Sequence, residues 1–154
     1  MLTFRGVESS TGTFYVQAAL NIYGGGNVYT GTYAESSPDL TGNWYEPLTE
    51  QCEMKKEGLQ CKAKGRLYFR NIGAVDAQDV VVRVYLSDDD SYDEGDILLN
   101  SYFKKKVVVG KDYKKFFKLI LPVGMSLEGR YIIVYIDAEE ATVESDESNN
   151  FVVY

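Results

Sequence analysis

Carboxylates are the most concentrated chemical groups in this sequence. Of the 23 aspartates and glutamates, twelve fall in two short stretches: Asp88, Asp89, Asp90, Asp93, Glu94 and Asp96, then Asp137, Glu139, Glu140, Glu144, Asp146 and Glu147. Calcium takes six to eight hard oxygen ligands from loops of this kind. The sequence therefore predicts a candidate calcium site at Asp88, Asp90, Asp93 and Asp96, although the glycine and glutamate of an EF-hand register are absent. A solvated acidic turn is the alternative.

The second acidic stretch is a weaker metal candidate because it spans a turn. Its neighbours Ser145, Ser148, Asn149 and Asn150 are suited to hydrogen-bonding loop backbone. Paired carboxylates can also hydrolyse glycosides, but only when two of them face each other across a cleft, which nothing in the pattern supplies. The sequence has no histidine, which removes serine triads, Cys-His dyads and most zinc or copper sites. Most familiar active sites are therefore ruled out for this chain, and nothing in the pattern requires a cofactor.

The two cysteines, Cys52 and Cys61, flank a predicted turn at Gly58. A local disulfide is the simplest interpretation, and it implies an oxidising compartment. Two free thiols in a cytosolic protein are the alternative. A redox or zinc site would need closer cysteines or further ligands.

Net charge restricts the partners. With 16 lysines and arginines the chain carries a net charge of −7, which repels nucleic acid unless the cations form a separate face. Apolar runs are too short to insert in a membrane, and residues 1–5 lack the apolar core of a secretory signal. We expect no nucleic acid and no membrane insertion, with any export signal either removed or never present.

Alternating apolar residues predict strands over nearly the whole chain. The clearest alternation lies in residues 61–70, 80–86 and 131–136. Weaker patterns add strands at 39–46, 97–109, 117–121 and 151–154, with Pro122 ending one of them. Only residues 48–56 have appreciable helix propensity, over a length sufficient for a turn or two. Seven strands at this spacing predict an all-β, immunoglobulin/fibronectin-III-like β-sandwich over residues 39–154.

Residues 1–38 have a different pattern. Two apolar alternations, 14–22 and 28–33, flank Gly24-Gly25-Gly26-Asn27 and predict one β-hairpin. A lone hairpin is marginal in water. We expect this extension to pair with the sandwich, to form a homodimer through residues 1–38, or to be the remnant of a preceding domain.

Two residue types mark the predicted surface. Tyrosines 85, 92, 102 and 131 are expected to be exposed, where they could stack on sugars or enter a protein interface, or else form cross-strand pairs. Seven lysines, at 104–106, 111, 114, 115 and 118, surround the fourth and fifth predicted strands. Lysine protects a sheet edge against unwanted pairing. A head-to-tail association of this basic edge with an acidic loop is the alternative, and it would weaken with salt.

Several motifs resemble the CARDB domain, a cell-adhesion-related domain found in bacteria. They are Arg70-Asn71-Ile72-Gly73, Val84 to Asp89, Gly95 to Leu99, and a closing signature of Gly129, Tyr131, Ile132, Val134, Asp137 and Val143 to Asn150. The opening Asp39 to Trp44, together with Cys52 and Cys61, is similar to a subgroup carried by exported proteins. The resemblance covers residues 39–154.

The resemblance implies a non-catalytic module for adhesion, interaction or spacing at the bacterial surface, in the periplasm or outside the cell. Its partner would be a protein or polysaccharide surface. A carbohydrate-binding or calcium-dependent accessory module of a surface hydrolase is the alternative. The Asp146, Asn149 and Asn150 side chains are expected to build the last turn and fix the register of the final strand, so the signature specifies fold more than ligand.

Overall fold

The computed structural model describes residues 36–154 and three strands before them, at 4–7, 15–19 and 28–32. The chain divides into two compact units, Met1–Ser36 and Ser37–Tyr154. No helix among these residues could span a membrane.

The first unit contains a three-stranded antiparallel sheet. Strands β1 (Phe4–Val7), β2 (Tyr15–Ala19) and β3 (Val28–Thr32) lie in the order β1-β2-β3. Strands β2 and β3 pair at the two predicted alternations, and β1 is a third strand that the sequence pattern did not indicate because it is only four residues long. The predicted turn at 24–27 lies outside the described residues. The role of residues 1–38, as extension, dimer contact or remnant, stays a prediction.

The second unit is a sandwich of two antiparallel sheets, and the prediction of an all-β, immunoglobulin-like fold is confirmed. Its seven strands are β4 (Leu40–Lys55), β5 (Gly58–Asn71), β6 (Ala77–Ser87), β7 (Ile97–Val107), β8 (Asp112–Ile120), β9 (Tyr131–Ile136) and β10 (Phe151–Val153). One sheet has the order β10-β9-β6-β7 and the other β4-β5-β8.

The core lies between the two sheets because alternate residues of each strand point inward. In β5, the buried residues are Cys61, Ala63, Leu67 and Phe69, as the alternation predicts. Val80, Val82, Val84 and Leu86 of β6 and Ile132, Val134 and Ile136 of β9 face them from the other sheet. This pattern fixes the pairing register of the strands, because a shift of one residue would move all these apolar side chains to the solvent face.

Residues 48–56 are not helical, and this expectation was wrong. They form most of the second half of β4, where Thr49 to Lys55 pair with Lys64 to Gly58 of β5. Gly58, at φ 123°, follows a two-residue turn and completes the hairpin. Register shifts around Glu46 interrupt the pairing, and Pro47 lies there on an edge strand, where its missing N–H costs no ladder bond. Helix propensity is a weak tendency that this strand pairing overrides.

Sheet order places the charged segments. Strands β7 and β8, which carry most of the predicted lysine group, are both edge strands. In the β6–β9 register Ser87 lies opposite Tyr131 and Val82 opposite Ile136. Residues 88–96 therefore leave one end of the sheet and residues 137–147 leave the other. The two acidic clusters cannot form a single site.

Candidate interaction surface

The first acidic cluster, which we call the acidic loop (residues 88–96), connects β6 to β7. Its backbone is held by its own carboxylates: Asp89 Oδ1 accepts from the Ser91 N–H at 2.8 Å, and Asp93 Oδ1 accepts from the Gly95 N–H at 2.6 Å. Asp88 Oδ1 accepts from Arg130 Nε at 2.9 Å. Loop residues and Arg130 line a cleft of about 230 Å³ at this end of the sheet.

The four predicted calcium ligands lie on this loop, and three of them, Asp88, Asp93 and Asp96, line the same cleft, although no three carboxylates there come within 4.8 Å of one another. Asp96 Oδ2 accepts from the Asp93 backbone N–H at 3.1 Å, which brings those two residues together. Asp88 is turned toward Arg130, and Asp90 lines a different groove. In the described part of the chain, the only close set of three metal-ligating side chains is Glu50, Cys52 and Cys61, whose two sulfurs are bonded to each other. The oxygen donors suit calcium in type, whereas their arrangement does not form a ready site.

The acidic loop folds back over the outer face of the β10-β9-β6-β7 sheet through Tyr92. The Tyr92 ring lies 4.9 Å from Tyr85, 5.6 Å from Tyr135 and 5.8 Å from Phe151, measured between centroids. Tyr135 and Phe151 are 4.3 Å apart. We call these four residues the aromatic patch. Because Tyr85 belongs to β6, Tyr135 to β9 and Phe151 to β10, one loop residue joins three strands.

Two grooves adjoin the aromatic patch. The first, of about 250 Å³, is lined by Asp90, Ser91, Tyr92, Ile133, Phe151 and Val153, and we call it the Tyr92 groove. The second, of about 260 Å³, is lined by Tyr135, Glu140, Thr142, Val143 and Glu147. Phe151 remains 40% exposed and Val153 43%. Partly exposed rings beside carboxylates provide stacking faces and hydrogen-bond acceptors, the combination that sugars and protein side chains both use.

Sequence reasoning placed only part of this surface. It expected Tyr85 to be exposed, which was wrong, because Tyr92 covers it and leaves it 6% exposed. It did not single out Ile133, Tyr135 or Phe151. The available signal was the run Tyr131, Ile133 and Tyr135 on the outward side of β9, since three large residues on a solvent face indicate a cover or a partner.

Two carboxylates of the second acidic cluster, Asp137 and Glu144, are buried. Asp137 adopts φ 59°, and its carboxylate accepts from the Thr142 N–H at 2.9 Å. Glu144 Oε2 accepts from the backbone N–H of Leu40. Burial is the main cause that raises the pKa of both carboxyls, to about 7 for Glu144. The Asp137 and Glu144 carboxylates therefore bind backbone N–H groups within the sandwich rather than face a cleft.

The closing signature also fastens the start of the sandwich. Asn149 Nδ2 donates to Asp39 Oδ1 at 2.7 Å, and the Ser145 N–H donates to the Pro38 carbonyl at 2.9 Å. We call residues 37–40 the entry segment. The Asp146 carboxylate accepts from both the backbone and the hydroxyl of Ser148, in line with the expected turn. The attachment of the entry segment is an additional role that the sequence did not predict.

The Asn-x-Gly motif also binds the entry segment. Asn71 is fully buried; its Oδ1 accepts from the N–H groups of Asp39 and Gly73, and its Nδ2 donates to the carbonyls of Val75 and Val107. A Cβ on Gly73 would lie 2.4 Å from the Ser37 carbonyl oxygen. Only glycine fits there, so this motif serves the fold.

Cys52 and Cys61 form a disulfide. They are direct partners in the β4–β5 register, so the bond crosses the hairpin. Cys61 is fully buried and belongs to the core.

Comparison with known proteins gives structural neighbours. No protein-family model and no curated protein sequence matches the chain. The solution NMR structure of the CARDB domain of PF1109 from Pyrococcus furiosus has a TM-score of 0.53 and 20% identity, over 77% of this chain and 93% of that one. The fold is that of a CARDB domain. A crystal structure of the same Pyrococcus furiosus CARDB domain, described as in complex with di-metal ions, has a TM-score of 0.47 and 20% identity, over 79% of this chain and 94% of that one.

Proposed function

We propose that the CARDB-like sandwich is a non-catalytic adhesion or interaction module that acts through its outer surface. The observation that carries the proposal is the Tyr92 groove, where a loop residue builds an aromatic surface across three strands and leaves Phe151 and Val153 open. Partly exposed aromatic residues in a shaped groove are typical anchors of binding surfaces. The partner is a protein or polysaccharide at the cell surface.

Two buried carboxylates support the non-catalytic assignment. Asp137 and Glu144 are the buried acidic side chains of the described region, and each accepts a backbone hydrogen bond that organises a turn or the entry segment. Neither lines the Tyr92 groove. The groove itself offers aromatic and aliphatic side chains with one carboxylate at Asp90, a composition suited to recognition.

The disulfide supports export. The Cys52–Cys61 bond persists in an oxidising compartment and would be reduced in most cytosols. We therefore assign the protein to the periplasm, the cell surface or the medium. An adhesion role requires this location, because the partner surface lies there too.

The direct test is binding of the full chain to envelopes of its host cell and to a panel of immobilised polysaccharides. Phe151→Ala should weaken binding by about tenfold or more, the usual loss when an anchor side chain is truncated. Phe103→Ala is the matched control, since Phe103 is 55% exposed on edge strand β7 and lines neither groove. Equal losses in the two variants, or none in Phe151→Ala, would contradict the proposal.

A calcium-dependent or carbohydrate-binding accessory module of a surface hydrolase is the second candidate. It is favoured by one observation: Asp90, a predicted ligand, and Tyr92, a groove residue, lie on the same loop. Calcium held by Asp88, Asp90, Asp93 and Asp96 would supply charge compensation and fix that loop. It would first have to release the hydrogen bonds that Asp88 and Asp93 now accept.

Calcium titration of the melting temperature tests this candidate. An ion that binds only the folded state raises stability by about 2.7 kcal/mol at a hundredfold excess over its Kd. Asp93→Asn combined with Asp96→Asn should abolish the rise, whereas Glu57→Gln in the hairpin turn should not. A melting temperature that calcium leaves unchanged would eliminate the calcium-dependent form.

A further inference from the structure

The outer face of the β4-β5-β8 sheet is unusually cationic for a chain with a net charge of −7. Alternate residues of β5 and β8 point to this side. The basic residues among them, which we call the basic face, are Lys62, Lys64, Arg66 and Arg70 on β5 and Lys114 and Lys118 on β8. All six are exposed or half-buried.

Three cations of the basic face are compensated by neighbours. Arg66 pairs with Glu46 at 2.8 Å, Lys62 approaches Glu53 at 3.9 Å, and Arg70 approaches Asp112 at 3.9 Å. Lys114 lies 4.0 Å from the centroid of the Tyr45 ring. None of these contacts involves the remaining two cations of the basic face, Lys64 and Lys118.

Lys64 and Lys118 lie directly opposite each other in the β5–β8 register. Like charges in such a position destabilise a sheet. Within residues 36–154, neither has a carboxylate oxygen within 4.0 Å. Phe116 and Ile120 flank Lys118 on the same strand face and are 53% and 57% exposed. The centre of the face is thus an unpaired double positive charge beside two open apolar side chains, which an acidic partner would complete.

The acidic loop of the same chain has the negative charge that such a partner needs. In the acidic loop six carboxylates are crowded, and Asp88 is the one that contacts a cation among the described residues. Asp90 and Glu94 are exposed and form no hydrogen bond there. The loop follows β6 of the other sheet, so it does not cover the basic face of its own molecule. A second copy can present it.

We propose that the basic face binds the acidic loop of a second copy, head to tail. A two-fold symmetric pairing of two basic faces would bring four unpaired lysines together, which disfavours that arrangement, and we take the contact as heterologous, with the face of one copy against the loop of the next. Until a ring closes, heterologous contacts leave one free face and one free loop at the ends, and further copies can add there. Charge attraction of exposed groups makes the association weak and sensitive to salt. This inference goes beyond the proposed function, because it uses neither Phe151 nor a foreign partner.

Sedimentation equilibrium of the full chain tests the proposal. At about 0.3 mM protein and low salt, we expect the weight-average mass to be at least about twice the 17.3 kDa of the monomer, which corresponds to a Kd of about 0.4 mM or below for an open chain of equal contacts. At about 0.5 M salt, where the Debye length falls below about 5 Å, the mass should return to that of the monomer.

Two charge-reversed variants make the test specific. Lys64→Glu with Lys118→Glu removes the face, and Asp90→Lys with Glu94→Lys removes the loop. Each should stay monomeric alone, because its face and its loop then carry the same sign of charge. An equimolar mixture should associate again, because the native loop of one variant meets the native face of the other and the two reversed surfaces are complementary as well. Lys56→Glu with Lys105→Glu makes the same change in net charge away from the face, and it should associate like the wild type. Circular dichroism confirms that each variant is folded.

Three outcomes would overturn the proposal. They are a wild type that stays monomeric at low salt, association that survives in either reversed variant, and an equimolar mixture of the two variants that stays monomeric. Association that survives in the Lys64 and Lys118 variant would mean that the contact lies elsewhere, for example in residues 1–38. A monomeric wild type that is retained on heparin, with retention lost in the Lys64 and Lys118 variant, would assign the basic face to an anionic polysaccharide instead.

Discussion

The carboxylate of Glu144 accepts a hydrogen bond from the backbone N–H of Leu40, 104 residues earlier in the chain. Leu40 is the first residue of β4, and Glu144 lies in the last loop of the sandwich. Asn71 binds the adjacent Asp39 N–H from the β5 side at 3.1 Å. Two parts of the CARDB-like signature, which contain Asn71 and Glu144, therefore both bind the entry segment. The signature is explained by folding, and the proposed binding surface is elsewhere, on the aromatic patch.

We expect stability to fall as pH rises through neutrality, because of Glu144. Burial raises the pKa of this carboxyl from 4.5 to about 7, so the folded chain holds a proton that the unfolded chain releases. The stabilising contribution is complete below about pH 4.5 and is lost as pH rises through about 7, on the order of 2 kcal/mol in all. Asp137, whose pKa burial also raises, contributes with the same sign.

Glu144→Gln tests this dependence by urea unfolding between about pH 4.5 and 8.5. The glutamine carbonyl can accept from Leu40 and never ionises. The variant should match the wild type at low pH and exceed its free energy of unfolding at high pH. Glu57→Gln, in the exposed hairpin turn, should leave the slope unchanged. Parallel curves for wild type and Glu144→Gln would contradict the assignment.

Gly73→Ala should be among the most damaging single substitutions. Its Cβ would meet backbone atoms of Ser37, Pro38 and Asp39 at 2.4–2.5 Å, and backbone cannot move aside as a side-chain tip can. We expect a loss of about 3 kcal/mol or more in the free energy of unfolding, in the range of severe mutations. Gly110→Ala is the matched control: its φ of 68° costs about 1 kcal/mol, and no atom lies within 4 Å of the added Cβ. Equal losses in the two variants would show that the entry segment can shift away.

Removing the disulfide with Cys52→Ser and Cys61→Ser should lower the free energy of unfolding by about 2.5–3 kcal/mol, the loop-closure value for a ring of this size. The separation of nine residues sets that ring. Mass spectrometry after alkylation should find no free thiol in the native chain and two after reduction. Reductant should shift the melting temperature of the wild type and leave the double variant unaffected. Free thiols in protein isolated from its host would refute the export assignment.

Tyr92→Ala should detach the acidic loop from the sheet. Tyr92 packs on Tyr85, Tyr135 and Phe151, and aromatic pairs contribute about 0.5–1.5 kcal/mol each beyond their buried area. We expect the free energy of unfolding to fall by about 2 kcal/mol, and amide exchange in residues 88–96 to become faster. Tyr131→Ala is the control, because both rings are 39% exposed. Similar losses in both variants would mean that the patch adds nothing to ordinary burial.

The sequence predicted the layers of the sandwich because alternation is a local property. Phe69 and Val84 alternate with outward-facing residues, and the structure buries both. The acidic loop was identified as charged, whereas the packing of Tyr92 on Tyr135, three strands later in the chain, was not. That contact depends on which face a loop returns to, and strand periodicity carries no information about it. The bond between Glu144 and Leu40 was missed for the same reason.

The helical expectation for residues 48–56 failed for a related cause. The side chains of this segment are compatible with a helix, as at Glu50, Gln51, Glu53 and Met54. Their backbone partners, however, lie in β5, and Gly58 at positive φ keeps the turn between the two strands tight. Local preference of a fraction of a kcal/mol per residue cannot compete with a full ladder and a disulfide.

The most direct test of the central claim is an amide chemical-shift map of the full chain, labelled with nitrogen-15, during titration with the polysaccharide or envelope protein that it retains. Shifts confined to residues 90–92, 133–135 and 151–153 are the predicted result, because these residues form the Tyr92 groove and the aromatic patch. Shifts centred on any other part of the sandwich, with these residues unchanged, would contradict the account.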